Sequence, residues 1–164
     1  MKIQIKSLFA VIACVGLLVQ SGFSANSDTQ TVTYEVQAIN EFAVSGSPGA
    51  LTISTATAGA APDAVTDATT TYAITTNETN RKITGAINTA MPSGVTLSVT
   101  LATPAGGTSA GKKSLSTSAT DLVTGISTLN ESGKVITYEL AATSAAGVVA
   151  SASKTVTLTV TAGS

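Results

Sequence analysis

Four short motifs carry side chains that could do chemistry. Residues 106–112, Gly-Gly-Thr-Ser-Ala-Gly-Lys, match part of a phosphate-binding loop, in which backbone N–H groups cradle phosphates and the lysine reaches them. Position 113 is then Lys where a Mg²⁺-binding hydroxyl belongs, and no helical periodicity follows, so the stretch reads as a surface loop. Ser151 and Lys154 have the Ser-x-x-Lys spacing of penicillin-recognising enzymes, which need both groups one helical turn apart. Here Lys154 opens an alternating strand, and strand residues three apart face opposite ways. Asp63 and Asp67 share a loop and could contribute to a Ca²⁺ cage, but Ca²⁺ takes about six to eight oxygens and no third acid lies close in sequence. Asn77-Glu78-Thr79 and Asn130-Glu131-Ser132 are glycosylation sequons that also suit ordinary turns.

The residue inventory narrows the chemistry further. The chain holds no His and no Trp, and its single cysteine is Cys14. The common Ser-His and Cys-His nucleophile arrangements are therefore excluded. No catalytic residue, cofactor or metal is expected, and the chain reads as a non-enzyme. Its functional sites should be surfaces.

Those surfaces belong to an exported protein. Lys2 and Lys6 precede an apolar run over residues 7–19, and Gly22-Phe23-Ser24 offers small residues for cleavage. The run is shorter than the ~20 residues a membrane span needs, so a signal peptide over residues 1–24 is expected, with membrane contact only during export. Residues 11–14, Val-Ile-Ala-Cys, also resemble a lipoprotein box that would lipidate Cys14. The remainder, residues 25–164, is one domain by length. The formal net charge of −1 becomes more negative once Lys2 and Lys6 leave, and no basic stripe suits nucleic acid.

The body alternates almost throughout. Val32, Tyr34, Val36 and Ala38 alternate with polar residues, the pattern of a strand over residues 31–39 with one apolar face. Further strands are expected around Phe42 and Val44, Leu51 and Ile53, residues 69–76, 81–88, 95–101, near Leu115, 122–126, 135–142 and 154–161. Turns are expected at residues 45–49, 77–80, 91–94 and 130–133, and a surface loop over 59–67. About nine short strands without helical periodicity predict an all-β fold, an immunoglobulin-like antiparallel β-sandwich with Greek-key connections.

The first strand stands apart. A strongly alternating N-terminal segment can complete its own sheet, or add to an open sheet edge on a neighbouring molecule. Repeated head to tail, that exchange does not close and makes a fibre. The layout resembles the disulfide-free major subunits of bacterial chaperone–usher fimbriae, particularly the alpha-class colonisation-factor pilins. The resembling segments are residues 31–36 (Thr-Val-Thr-Tyr-Glu-Val), 71–76 (Thr-Tyr-Ala-Ile-Thr-Thr), 81–83, 97–99 and the closing 155–164. The resemblance implies an incomplete sandwich that accepts the N-terminal strand of the next subunit, with Val32, Tyr34, Val36 and Ala38 as donor residues. It further implies a structural pilus subunit of an adhesive fimbrium at the bacterial cell surface. Self-association is then expected, with a periplasmic chaperone and an usher as partners and the periplasm as route in a Gram-negative cell. The other reading is a self-contained secreted or surface-attached sandwich that binds a partner as a monomer. Whether residues 31–39 pair in their own chain separates the two.

Overall fold

Thr, Val and Ile fill the long elements, and such β-branched side chains suit a pleated surface with one buried face. The computed structural model of the chain describes residues 26–163. The expected signal peptide, its cleavage after Ser24 and Cys14 lie outside the described residues. The strands are β1 (Asn40–Val44), β2 (Val65–Thr76), β3 (Arg81–Ile87), β4 (Val95–Leu101), β5 (Thr108–Ser109), β6 (Lys113–Ser114), β7 (Thr120–Ile126), β8 (Leu129–Ala142) and β9 (Val156–Ala162). One 3₁₀ turn, Ser144–Ala146, precedes β9. The strands belong to a compact unit that starts at Val36. Residues 26–35, taken by themselves, have no regular secondary structure and are exposed.

Two antiparallel sheets form the sandwich, as the alternation predicts. One has the order β1-β2-β8-β4-β6 and the other β5-β7-β3-β9. Their inward residues make an aliphatic core that includes Ile83, Val99, Leu122, Val123, Ile126 and Ile136. Gly85 leaves room for its sheet neighbours' side chains here: a Cβ on it would lie 2.7 Å from Leu122 Cδ1 on β7.

Several local expectations are corrected. Residues 31–39 form no strand within the chain, and the ladder begins at Asn40 opposite Thr76. A strand needs a backbone neighbour, and β2 ends at Thr76, where the chain bends over residues 77–80. Alternation supplied the pattern but not the partner. Leu51 and Ile53 are half-buried without a ladder, and the bridge nearby joins Ala56 to Pro62. Residues 130–133 are not a hairpin turn but a bulge within β8. Tyr72 faces Lys134 while Ile74 faces Glu131, and Gly133 absorbs the extra residue at φ +67°. Within the loop-like stretch 106–112, Thr108–Ser109 pairs with β7 as β5.

Two inward polar groups on β2 contrast. Tyr72 donates its hydroxyl to the Ala102 carbonyl at 2.5 Å. Thr70 Oγ1 is buried with no hydrogen-bond partner. Leaving such a hydroxyl unpaired costs about 1–3 kcal/mol. Thr70→Val should therefore raise stability by about 1 kcal/mol, read as a higher unfolding midpoint by calorimetry. An unchanged or lower midpoint would show that the hydroxyl is satisfied.

Burial, then the charge of Glu131, pushes the Tyr72 phenol up to about 12. Its folded value lies above the unfolded value of about 10, so the stabilisation is intact below pH 10 and drains as pH rises toward 12. Burial shifts Tyr138 in the same direction. Denaturant titrations of the wild type between pH 9 and 12 should show stability falling, and Tyr72→Phe should make that slope shallower.

Candidate functional site

The edges of the two sheets meet along a seam that is not closed. β1 is the edge of one sheet and β9 of the other, so each has hydrogen bonds to a single neighbour, β2 and β3 respectively. The outer backbone groups of both edges are left for another strand. Between them lies a hollow of 330 Å³ lined by Phe42, Val44, Tyr138, Val156, Thr157 and Leu158. Phe42 stacks on Tyr72 with ring centroids 5.8 Å apart, which fixes its place on the floor. Along β8 the next inward residue after Tyr138 is Leu140. It lines a second hollow of 710 Å³ with Leu51, Ile53, Met91 and Val149. The two hollows thus lie against successive inward residues of β8, and the one between β1 and β9 is the trough of the seam.

Burial along β9 shows how incomplete the seam is. Its apolar residues Val156, Leu158 and Val160 are half-buried, whereas Ile83 and Ile87 on neighbouring β3 are fully buried. Across the trough, Val44 is 50% exposed. A row of aliphatic side chains half in water is a surface that binds by apolar burial and backbone hydrogen bonds. The narrower hollow is lined by no acid or base. In the wider one, Lys154 is turned aside: its Nζ donates to Thr89 Oγ1 at 2.7 Å and to the Ala90 carbonyl at 2.8 Å.

A polar corner closes one end of the seam. Asn40 on β1 accepts from Thr76 Oγ1 at 2.8 Å and from Arg81 Nε at 3.0 Å, and donates through Nδ2 to Glu78 Oε2. Arg81 pairs with Glu78 at 3.0 Å. One amide thus joins β1, β2 and β3 where the chain crosses between sheets. Beside it, Asn77 donates its backbone N–H to the Ile39 carbonyl at 3.3 Å. Its side chain accepts the Ile39 N–H and donates to the Gln37 carbonyl, each at 2.8 Å.

The expected donor residues are the exposed ones. Val32, Tyr34 and Val36 are 77%, 89% and 77% exposed, and Ala38 is exposed as well. Residues 26–39 join no ladder. The sequence motifs of enzymes do not assemble. Lys112 pairs with Glu139 at 2.9 Å, no helix follows it, and Ser151 and Lys154 share no helix either. Asp67 accepts from the Thr69 N–H and hydroxyl and from the Gly49 N–H, which hold its carboxyl below its usual value. Among the described residues no three acids, His or Cys gather as a metal site. Asn130 pairs with Thr75 inside a strand, and the Asn77 nitrogen that would take a glycan holds Gln37.

Sequence reasoning assigned Phe42, Val44, Val156 and Leu158 to strand faces without seeing that they share a trough. The signal was the perfect alternation of β9 with no partner run near it. Because Leu158 is only half withdrawn from water, Leu158→Ala should cost the isolated chain about 1–2 kcal/mol. Ile83→Ala, in the closed core, should cost about 3–4 kcal/mol. Equal losses in urea denaturation would mean that the seam is already sealed.

No protein-family model matches the chain, and neither a curated protein nor a solved structure is detectably similar to it.

Proposed function

We propose that this chain is an exported structural subunit that polymerises by strand exchange, residues 31–39 of one copy lying in the seam of the next. The observation that carries this reading is the seam, an apolar trough between two unpaired edges. The fitting object is an extended segment with alternating apolar side chains, and residues 31–39 are one, exposed and outside any ladder. The lengths agree: β9 has 7 residues, about 23 Å of strand at 3.3 Å per residue, and residues 32–38 cover the same distance. In the seam Val32, Tyr34, Val36 and Ala38 would face the trough, and the Thr and Glu residues between them would face solvent.

An immunoglobulin-like Greek-key sandwich lacking one strand is the architecture this reading assigns. The fimbrial family that the strand layout resembles works in this way. By that analogy the subunit travels through a periplasm to the cell surface, where it serves in an adhesive fimbrium. An open seam is also an aggregation hazard until it is filled. A periplasmic chaperone that covers it and an usher that directs assembly are the partners expected. The role is non-catalytic. A second reading, a self-contained sandwich acting as a monomeric binding module, draws on the wider hollow near Leu51 and Met91, which would hold an apolar ligand.

Removing residues 25–39 should leave a soluble chain that does not polymerise, seen as loss of a detergent-stable ladder that the full mature chain shows unless boiled. Val36→Thr should weaken the ladder more than Glu35→Thr, because a one-residue offset moves the change to the opposite face. A ladder from the truncated chain, or equal effects at 35 and 36, would refute strand exchange. A monomer band with and without boiling would favour the binding module.

A further inference from the structure

Strand exchange requires that a chain not fill its own seam, and one side chain stands where that choice is made. We infer that Asn77 is a positioning residue for exchange: its carboxamide holds residues 37–39 in line with β1 and so denies them the reversal that self-filling needs. This inference rests on the strand-exchange reading above and confines the exchanged segment to residues 31–36, because residues 37–39 stay bonded to their own Asn77.

The geometry is that of a strand neighbour supplied by one side chain. Past Thr76, β2 offers β1 no further strand residue. Asn77 continues the pairing, its backbone N–H reaching the Ile39 carbonyl while its Oδ1 takes the Ile39 N–H. Its Nδ2 then reaches two residues further to the Gln37 carbonyl. A carboxamide carries the same donor and acceptor as a peptide group, so it can satisfy an edge strand as a neighbour would. Asn77 is held in turn by its place beside the polar corner, where Glu78 donates its N–H to Thr76 Oγ1 and binds Arg81.

Residues 31–36 can lie against their own β1 only if the chain doubles back immediately before Asn40. Tight reversals between strands need residues that accept positive φ, chiefly Gly, Asn or Asp. Residues 36–39 are Val-Gln-Ala-Ile, which contain none of them. The turn formers Asn26, Ser27 and Asp28 come before the alternating residues. A reversal there would leave Val32, Tyr34 and Val36 on the outgoing leg. The sequence therefore leaves only a wider reversal through residues 36–39, and the clamp holds three of those four residues straight. Hinge segments that cannot fold back are what favour exchange between copies.

The test uses the mature chain, residues 25–164, as wild type, Asn77→Ala and Asn77→Asp. Two readouts are taken: the unboiled ladder, and hydrogen exchange of amides 31–36 in the monomer fraction. Wild type should give a ladder and unprotected amides. Asn77→Ala removes both side-chain bonds and should raise the monomer share by roughly tenfold, the scale of two ordinary hydrogen bonds. Amides 31–36 should then be protected in that monomer, a change that mere loosening of the fold would not produce. Asn77→Asp keeps the Ile39 contact but turns an acceptor toward the Gln37 carbonyl. It should shift both readouts in the same direction, and it decides the matter if Asn77→Ala fails to fold. A variant ladder equal to wild type with unprotected amides overturns the role of Asn77 and leaves exchange standing. Absence of a ladder from wild type overturns exchange itself, and the role of Asn77 with it.

Discussion

A β-strand is complete only when both of its backbone edges have partners, and this molecule leaves two facing edges without them. The remaining features can be traced to that deficit. β9 carries a regular row of aliphatic residues that its own sheet does not cover. The floor beneath it, Phe42 over Tyr72 and Tyr138 on β8, is ordered by ring stacking and burial and does not depend on anything above it. The closed half of the sandwich, built on Ile83, Val99, Leu122 and Ile136, must therefore support the open half. With no disulfide available among the described residues, that support comes from aliphatic packing and from a few polar ties between elements. The Asn40 corner is one such tie. The Lys82–Asp121 pair, 3.1 Å apart between β3 and β7, is another.

The polar ties share a design. Several span elements far apart in sequence, so that one or two side chains close a long stretch of chain. Glu131 joins Lys134 at 3.0 Å across the bulge of β8 and also accepts the Ala105 N–H from the β4–β5 connection. The first of these contacts does most to hold its carboxyl below the usual value. Asp67 fastens the start of β2 to Gly49 in the long β1–β2 connection. Such contacts are exposed or only part-buried, and each contributes little by itself. Their effect is to fix which loops lie against which strands.

Much of this was readable from residue order. Alternation located β3, β4 and β9 within a residue or two, and the apolar pair Leu122-Val123 with Ile126 located β7, although β4 buries Ser98 as well as its apolar face. The same rule failed for residues 31–39, where alternation is as clear but no ladder forms among the described residues. Periodicity reports which way side chains point, and hydrogen bonding decides whether a strand forms. It failed differently at residues 130–133, whose Asn-Glu-Ser-Gly composition suits a turn and is used instead as a bulge, since β2 continues alongside. β5 escaped notice because two residues carry no period. The trough itself was illegible: Phe42 and Leu158 lie far apart in the sequence, and only the order of strands across two sheets brings β1 beside β9.

The distribution of tyrosines has a consequence for observing the molecule. The chain has 3 tyrosines and no tryptophan, so its near-ultraviolet signal comes from tyrosine. Tyr72 and Tyr138 are buried in the floor of the trough, while Tyr34 is 89% exposed. An immobilised ring in an asymmetric surround gives a strong circular-dichroism band, and a freely rotating ring in water gives almost none. Two of the three chromophores therefore report a constant background, and the third is silent until something holds it. The molecule carries its own label at the point where its state changes, without any dye or engineered tryptophan.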